Sequence, residues 1–331
     1  TIICNIWDEK SYFKMKNLPK IAISIGDLNG IGVEIALKSH DTIKEIWQPI
    51  YCINRQMLEQ ASMLLEVPIP NDFILHETFG DFEILPSKTT KESGIFSYLS
   101  FMDAINLANI KSVDAICTLP INKESWGKAK LKYKGHTEVL RDFYNKEAIM
   151  MLGCQKMYVA LFTEHIALKD VAKSIKTKKL INFFKNFHSC TNAKKVAVLA
   201  LNPHAGDGGV LGKEEKKIQK AIKKANKILG EDIFSNPLVP DTAFSPNNRK
   251  NYKYFIAMYH DQGLAPLKAL YFDESINVSL NLPIIRTSVD HGTAFDIAYK
   301  NKNPNTKSYR NAIKEAIVLS KKWNYVKKTM K

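Results

Sequence analysis

The sequence predicts an α/β fold in two lobes, and three observations carry that expectation. Short apolar runs rich in Ile and Val alternate with helical patterns, as buried strands covered by helices require. The chain has 331 residues, too many for one small domain and comfortable for a two-lobed subunit. No internal repeat, low-complexity tract or long Pro/Gly/Ser linker divides it, so several chain crossings are expected between the lobes.

Along the chain, strands are expected over 20–25, 50–53, 115–118, 158–162, 196–201 and 254–258, and helices over 32–39, 94–109, 137–143, 178–187, 213–229 and 311–326. The first strand runs into Gly26-Asp27-Leu28-Asn29-Gly30-Ile31-Gly32, whose glycine spacing is not G-x-G-x-x-G and supports no Rossmann cofactor site. In the fifth helix Ile218, Ala221, Ile222, Ala225, Ile228 and Leu229 follow the spacing of one buried face, while lysines fill the other. The formal charge of +15 is mostly dispersed Lys, which argues against a nucleic-acid partner and fits attraction of an anionic metabolite.

Hydrophobic residues at 45% and charged residues at 24% match a globular chain. No apolar run approaches the roughly 20 residues of a membrane span. Asp8, Glu9 and Lys10 break up the amino terminus where a signal peptide would be apolar, so a cytoplasmic location without a membrane partner is expected. The cysteines, at 4, 52, 117, 154 and 190, are odd in number and form no C-x-x-C pair. That usage excludes a disulfide framework or a thiolate zinc site and fits a reducing compartment.

Ligands of open α/β sheets collect beyond the carboxyl ends of strands. Three such ends carry a histidine: the run 158–162 leads to His165, 196–201 leads to His204, and 254–259 leads directly to His260. Three imidazoles are a suitable ligand set for a catalytic divalent metal with one coordination position left open. Unligated, hydrogen-bonded loop histidines are the alternative. Asp261 either orients a ligand, accepts a proton or caps the following helix. The stretch from Asn202 to Gly212 holds four glycines before a helix, which fits an anion loop or a plain turn. Lys268, Asn277 and Arg286, and the helix opening Gly135-His136-Thr137, have the chemistry of a phosphate site or of ordinary surface residues.

Four segments resemble the 4-hydroxythreonine-4-phosphate dehydrogenase family of vitamin B6 biosynthesis: Gly-His-Thr-Glu at 135–138, Asn-Pro-His-Ala-Gly-Asp-Gly-Gly at 202–209, Met-Tyr-His-Asp-Gln-Gly-Leu at 258–264, and Ile-Arg-Thr-Ser-Val-Asp-His-Gly-Thr-Ala at 285–294. The resemblance implies a metal, zinc, magnesium or cobalt, on His165, His204 and His260. It implies a phosphorylated substrate on His136, Thr137, Lys268, Asn277 and Arg286, and NAD or NADP near His291, Gly292, Thr293 and Asp296. It further implies a homodimer with an isocitrate/isopropylmalate dehydrogenase-like fold and the site in the inter-lobe cleft. Lobe one is expected over 20–125 and 285–331, lobe two, with the metal ligands and dimer contacts, over 126–284, and residues 1–19 as an extension.

The implied reaction oxidises 4-phosphohydroxy-L-threonine to a 3-keto acid that decarboxylates, with Asp241 or Asp261 taking the hydroxyl proton. Both prolines of the family's first glycine turn are replaced here, by Ile25 and Leu28, which predicts a less rigid turn. Two other enzyme readings stand beside this one: a dehydrogenase of another phosphorylated hydroxy acid, and a metal-dependent hydrolase that uses no nicotinamide. A nucleic-acid-binding protein would instead show steeply salt-dependent affinity.

Overall fold

The computed structural model describes residues 18–329, with side chains in the last helix up to Lys321. Most of the expected 1–19 extension therefore lies outside the described residues. The chain divides into two units: residues up to Gly135 with His291–Ile317, and His136–Asp290 with the residues from Val318.

The first unit runs β1 (Lys20–Ser24), α1 (Gly32–Lys44), β2 (Gln48–Cys52), α2 (Arg55–Leu65), β3 (Ile74–His76), α3 (Lys91–Asn109), β4 (Ala115–Thr118) and α4 (Lys123–Lys128). Its strands are ordered β3-β2-β1-β4 and all pair in parallel. Four of five residues in β1 and all of β4 are buried, which is why both read as unbroken apolar runs. Side chains of Asn54, Thr90 and Asn122 accept a backbone N–H three residues on and set the starts of α2, α3 and α4. The Thr90 cap begins α3 at Lys91, a turn before the apolar periodicity starts. The start of the last helix closes this core through buried Tyr309, Ala312 and Ile313, and Trp47 Nε1 donates to the Ile313 carbonyl at 3.1 Å.

The second unit runs α5 (His136–Tyr144), β5 (Ile149–Cys154), β6 (Met157–Leu161), α6 (Leu168–Ser174), α7 (Thr177–Thr191), β7 (Val196–Val198), α8 (Glu214–Leu229), α9 (Pro246–Asn251), β8 (Tyr254–Ala257), α10 (His260–Tyr271), β9 (Ile276–Leu280) and β10 (Arg286–Val289), and α11 (Lys307–Thr329) ends in it. Strand order is β10-β9-β5-β6-β8-β7. The pairs from β10 to β6 are antiparallel, and β6-β8 and β8-β7 are parallel.

Helix α10 packs Leu264 and Leu267 onto one face of this sheet, against Met150, Leu152, Val159, Leu161, Phe255 and Ala257. Gly263 permits the close approach: a Cβ there would lie 2.4 Å from Val159 Cγ1 and 2.9 Å from Ala257 Cβ.

Two expectations are corrected. The strand expected to reach residue 201 stops at Val198: Leu199 N–H still donates to the Ile256 carbonyl of β8, but Ala200 N–H donates to the Leu238 carbonyl at 2.8 Å. Ile228 is 57% exposed, not buried: α8 ends at Leu229 against left-handed Gly230 (φ 74), and its last turn clears the core. His260 follows its strand as expected and opens α10. Cys52, Cys117 and Cys154 are buried. No helix among the described residues is long and apolar enough to cross a membrane.

Candidate active site

Strand register places the histidines. Leu161 of β6 pairs with Ala257 of β8, and the alignment continues as Phe162 N–H donates to Ala257 and Thr163 Oγ1 to the Met258 carbonyl at 2.6 Å. His165 and His260 therefore leave neighbouring parallel strands together, and their ring centroids lie 5.4 Å apart. Two imidazoles on one tetrahedral ion, with metal–nitrogen bonds of about 2.0–2.1 Å, have centroids roughly 5 Å apart. The pair fits that spacing. His260 Nδ1 is bonded to Asp261 Oδ1 at 2.7 Å, the arrangement that fixes a tautomer and leaves Nε2 for a metal. Tyr259 caps α10 without a side-chain bond, and Asp261 stands in the first turn with its carboxylate on the His260 ring.

Of the three expected ligands the structure brings together two. Among the described residues no group of three His, Cys, Asp or Glu stands at metal-binding spacing. His204 is exposed on the 3-10 segment Pro203–Gly209, where His204, Ala205 and Asp207 all take left-handed φ (50, 54 and 43). Glu215 clasps the base of this loop, accepting N–H bonds from Leu201 at 3.1 Å and Asn202 at 2.8 Å.

Of the substrate candidates, His136, Asn277 and Arg286 come together. Register puts Arg286 opposite Ser279, Asn277 opposite Ser288, and Asn277 opposite Leu152, so Asn277 and Arg286 share the sheet face that α10 covers. On this otherwise apolar face Arg286 is only 2% exposed, and its Nη1 donates to Ser279 Oγ at 3.1 Å. Asn277 Oδ1 is buried with no hydrogen-bond partner. Lys268 comes from α10, eight residues and so about 12 Å of helix beyond His260, and bonds the Asp290 carboxylate and its carbonyl, the latter at 3.2 Å. His136 opens α5; burial first, then the Arg286 charge, hold its imidazole well below the usual range, so it is neutral. Thr137 follows it, half-buried. Asp241 is exposed on the turn after Val239.

The nicotinamide candidates lie in the first unit. Thr293 is buried and its carbonyl accepts from Ile31 N at 3.1 Å, while Gly292 and Asp296 are exposed on either side. His291 Nδ1 lies 3.0 Å from the Gly292 carbonyl. Gly30 admits this loop, since a Cβ there would lie 2.8 Å from Thr293. In the turn that lacks the family's two prolines, residues 25–33 are all buried and Asp27 makes hydrogen bonds within it. Its carboxylate accepts from Asn29 N at 3.0 Å and Ser93 Oγ at 3.1 Å, and burial raises its pKa.

Sequence reasoning missed Ser279, Asp290 and the Arg141–Glu164 pair (2.7 Å) that ties α5 to the turn before His165. The signal for Ser279 was the alternation of 276–280 and the pairing it implies.

The pyridoxal phosphate biosynthetic protein PdxA family matches residues 45–316. The 4-hydroxythreonine-4-phosphate dehydrogenase of Sulfurimonas denitrificans is 61% identical over 303 residues, covering 92% of this chain and 98% of that protein. Its counterpart in Campylobacter fetus is 56% identical, with 92% and 99% covered. The solved 4-hydroxythreonine-4-phosphate dehydrogenase of Klebsiella pneumoniae superposes with a TM-score of 0.77 at 29% identity, covering 92% of this chain and 98% of that one. A terephthalate 1,2-cis-dihydrodiol dehydrogenase from Burkholderia xenovorans shares the fold, with a TM-score of 0.65 at 20% identity. With the match running through both units and through every element that carries a candidate residue, the chain belongs to the PdxA family.

Proposed function

We propose that this chain oxidises 4-phosphohydroxy-L-threonine to 2-amino-3-oxo-4-phosphooxybutanoate with NAD or NADP and a divalent metal. The 3-keto acid then loses CO2 to give 3-amino-2-oxopropyl phosphate, a step of pyridoxine 5'-phosphate biosynthesis. The observation that carries this reading is the polar end of one sheet face, where buried Arg286 stands beside a neutral His136 with Asn277 and Ser279.

Each residue there has work suited to a phosphorylated amino acid. Arg286 offers a fork to two phosphate oxygens, and Lys268 a compact charge that exchanges part of its bond with Asp290 for the ligand. Neutral His136 presents one N–H donor and adds no charge to the binding balance. The buried Asn277 Oδ1 accepts an N–H or O–H of the substrate. His165 and His260 hold the metal, with Asp261 orienting His260. Because Asp261 is committed to that ring, Asp241 is the carboxylate we assign to the hydroxyl proton. Gly292 and Asp296 offer bare backbone and a carboxylate to cofactor ribose hydroxyls, with His291 and Thr293 shaping the loop. When bound, the metal acidifies the substrate hydroxyl and stabilises negative oxygen, and the nicotinamide accepts hydride.

The third metal ligand needs either movement of the His204 loop or a second copy of the chain. Ile166 and Leu168, just after His165 in the chain, and Val210 and Leu211, just after the His204 loop, are exposed at 43%, 70%, 82% and 47%, and we assign them to homodimer contacts. The test is NAD(P)H formation from 4-phosphohydroxy-L-threonine by wild type and Arg286→Ala. Turnover that is lost or strongly weakened in the variant supports the reading; no turnover by the metal-loaded wild type would overturn it.

A further inference from the structure

Asn29 is fully buried in the turn between β1 and α1, yet all its side-chain bonds go to one segment. Its Nδ2 donates to the Lys88 carbonyl at 2.8 Å and to Thr90 Oγ1 at 3.3 Å, and its Oδ1 accepts from Leu85 N at 2.9 Å. Its own carbonyl accepts from Ser87 N at 2.9 Å. Ser87 is thereby held at φ 64, a left-handed conformation that a serine does not favour unaided. From there Ser87 Oγ donates to the Phe295 carbonyl at 2.5 Å. The loop that holds Thr293 and Asp296 is fixed twice: directly, by Ile31 N to Thr293 O at 3.1 Å and Tyr299 Oη to Leu28 O at 2.6 Å, and indirectly through Ser87.

We propose that Asn29, acting through Ser87, is a positioning residue that sets the affinity of the 291–296 loop for the nicotinamide cofactor. The inference rests on the reading that this loop binds NAD or NADP. Only an amide supplies the donor and the acceptor that residues 85 and 88 take together; aspartate offers acceptors alone and alanine offers nothing. Neither Asn29 nor Ser87 touches the cofactor in this account. They hold exposed Gly292 and Asp296 in one arrangement before binding, so that less ordering is left for the bound state.

The test uses the full-length, metal-loaded protein with Asn29→Ala, Ser87→Ala, the double variant and Asp296→Ala. The readouts are the Kd of NAD+ and NADP+ by calorimetry, KM for 4-phosphohydroxy-L-threonine, and Tm. Ser87→Ala and Asn29→Ala should each weaken cofactor binding on the order of 10-fold. The double variant should be no weaker than Asn29→Ala, since both act on one path, and substrate KM should stay within about twofold. Weaker cofactor binding in Asp296→Ala with none in Ser87→Ala and Asn29→Ala overturns the inference and leaves the cofactor reading standing. No change in any variant overturns both. An equal rise in substrate KM marks a general loss of structure and also overturns the inference. If Asn29→Ala does not fold, Ser87→Ala, which removes one hydroxyl, decides the question alone.

Discussion

The rings of His165 and His260 stand 5.4 Å apart because β6 and β8 run parallel in register to their ends, and Asp261 holds the second ring by its Nδ1 at 2.7 Å. If this pair binds the metal, Asp261→Ala should lower affinity for Zn2+ or Co2+ about 10–100-fold while leaving both imidazoles in place. Competition with a chromogenic chelator measures this. Wild-type affinity in the variant would remove Asp261 from the site.

Helix α10 owes its position to Gly263, where a Cβ would sit 2.4 Å from Val159 Cγ1. Gly263→Ala should destabilise the protein by about 1–3 kcal/mol through overpacking. It should also weaken metal binding, since the helix that moves begins at His260. Urea unfolding together with the same chelator titration tests both; a destabilised protein with normal metal affinity would show that α10 adjusts without moving His260.

Arg286 is buried among polar groups on a covered face, so its loss should fall on substrate affinity more than on chemistry. Arg286→Lys keeps the charge and loses the fork; it should raise KM for the phosphorylated substrate about 10–100-fold, the range of one or two charge-assisted hydrogen bonds. Steady-state kinetics at saturating NAD(P)+ gives the split. A fall in kcat with unchanged KM would place Arg286 elsewhere in the mechanism.

Burial lowers the pKa of His136 and of His40, whose ring is enclosed between Tyr51 and Asp72. Between the lowered folded pKa and about 6.5 the unfolded chain binds protons that the folded chain does not, so stability present above that pH is lost as pH falls through the window. The urea midpoint of metal-free protein should decline from pH 7.5 towards pH 5.5, as the unfolding free energy falls by up to about 1.4 kcal/mol per pH unit for each imidazole. His136→Gln should flatten the slope. A midpoint that is level or rises on acidification would contradict the neutral state assigned to these rings.

The strands β1 and β4 were legible because they are buried on both faces, and α8 because its lysines and apolar residues keep to opposite sides. The strands that carry the substrate candidates were not. Asn277, Ser279, Arg286 and Ser288 put polar groups on a covered face, so β9 keeps only the alternation of Ile276, Val278 and Leu280 and lacks the continuous apolar run by which the other buried strands are recognised. Helix α10 was hidden by Gly263 and Pro266, the first needed for close packing. At the proposed metal site the positions of His165 and His260 followed from strand ends alone. The left-handed path of residues 204–208 had no signature beyond its glycines, and it is what leaves His204 outside the pair.

The central claim is a metal-dependent oxidation of 4-phosphohydroxy-L-threonine, and the most direct measurement is NAD(P)H formation before stripping the metal, after it, and after its return. The account predicts turnover that is lost in the fully stripped protein and recovered with Zn2+, Mg2+ or Co2+. Unchanged turnover without metal would contradict the role given to His165 and His260, and no NAD(P)H under any metal would contradict the oxidation itself.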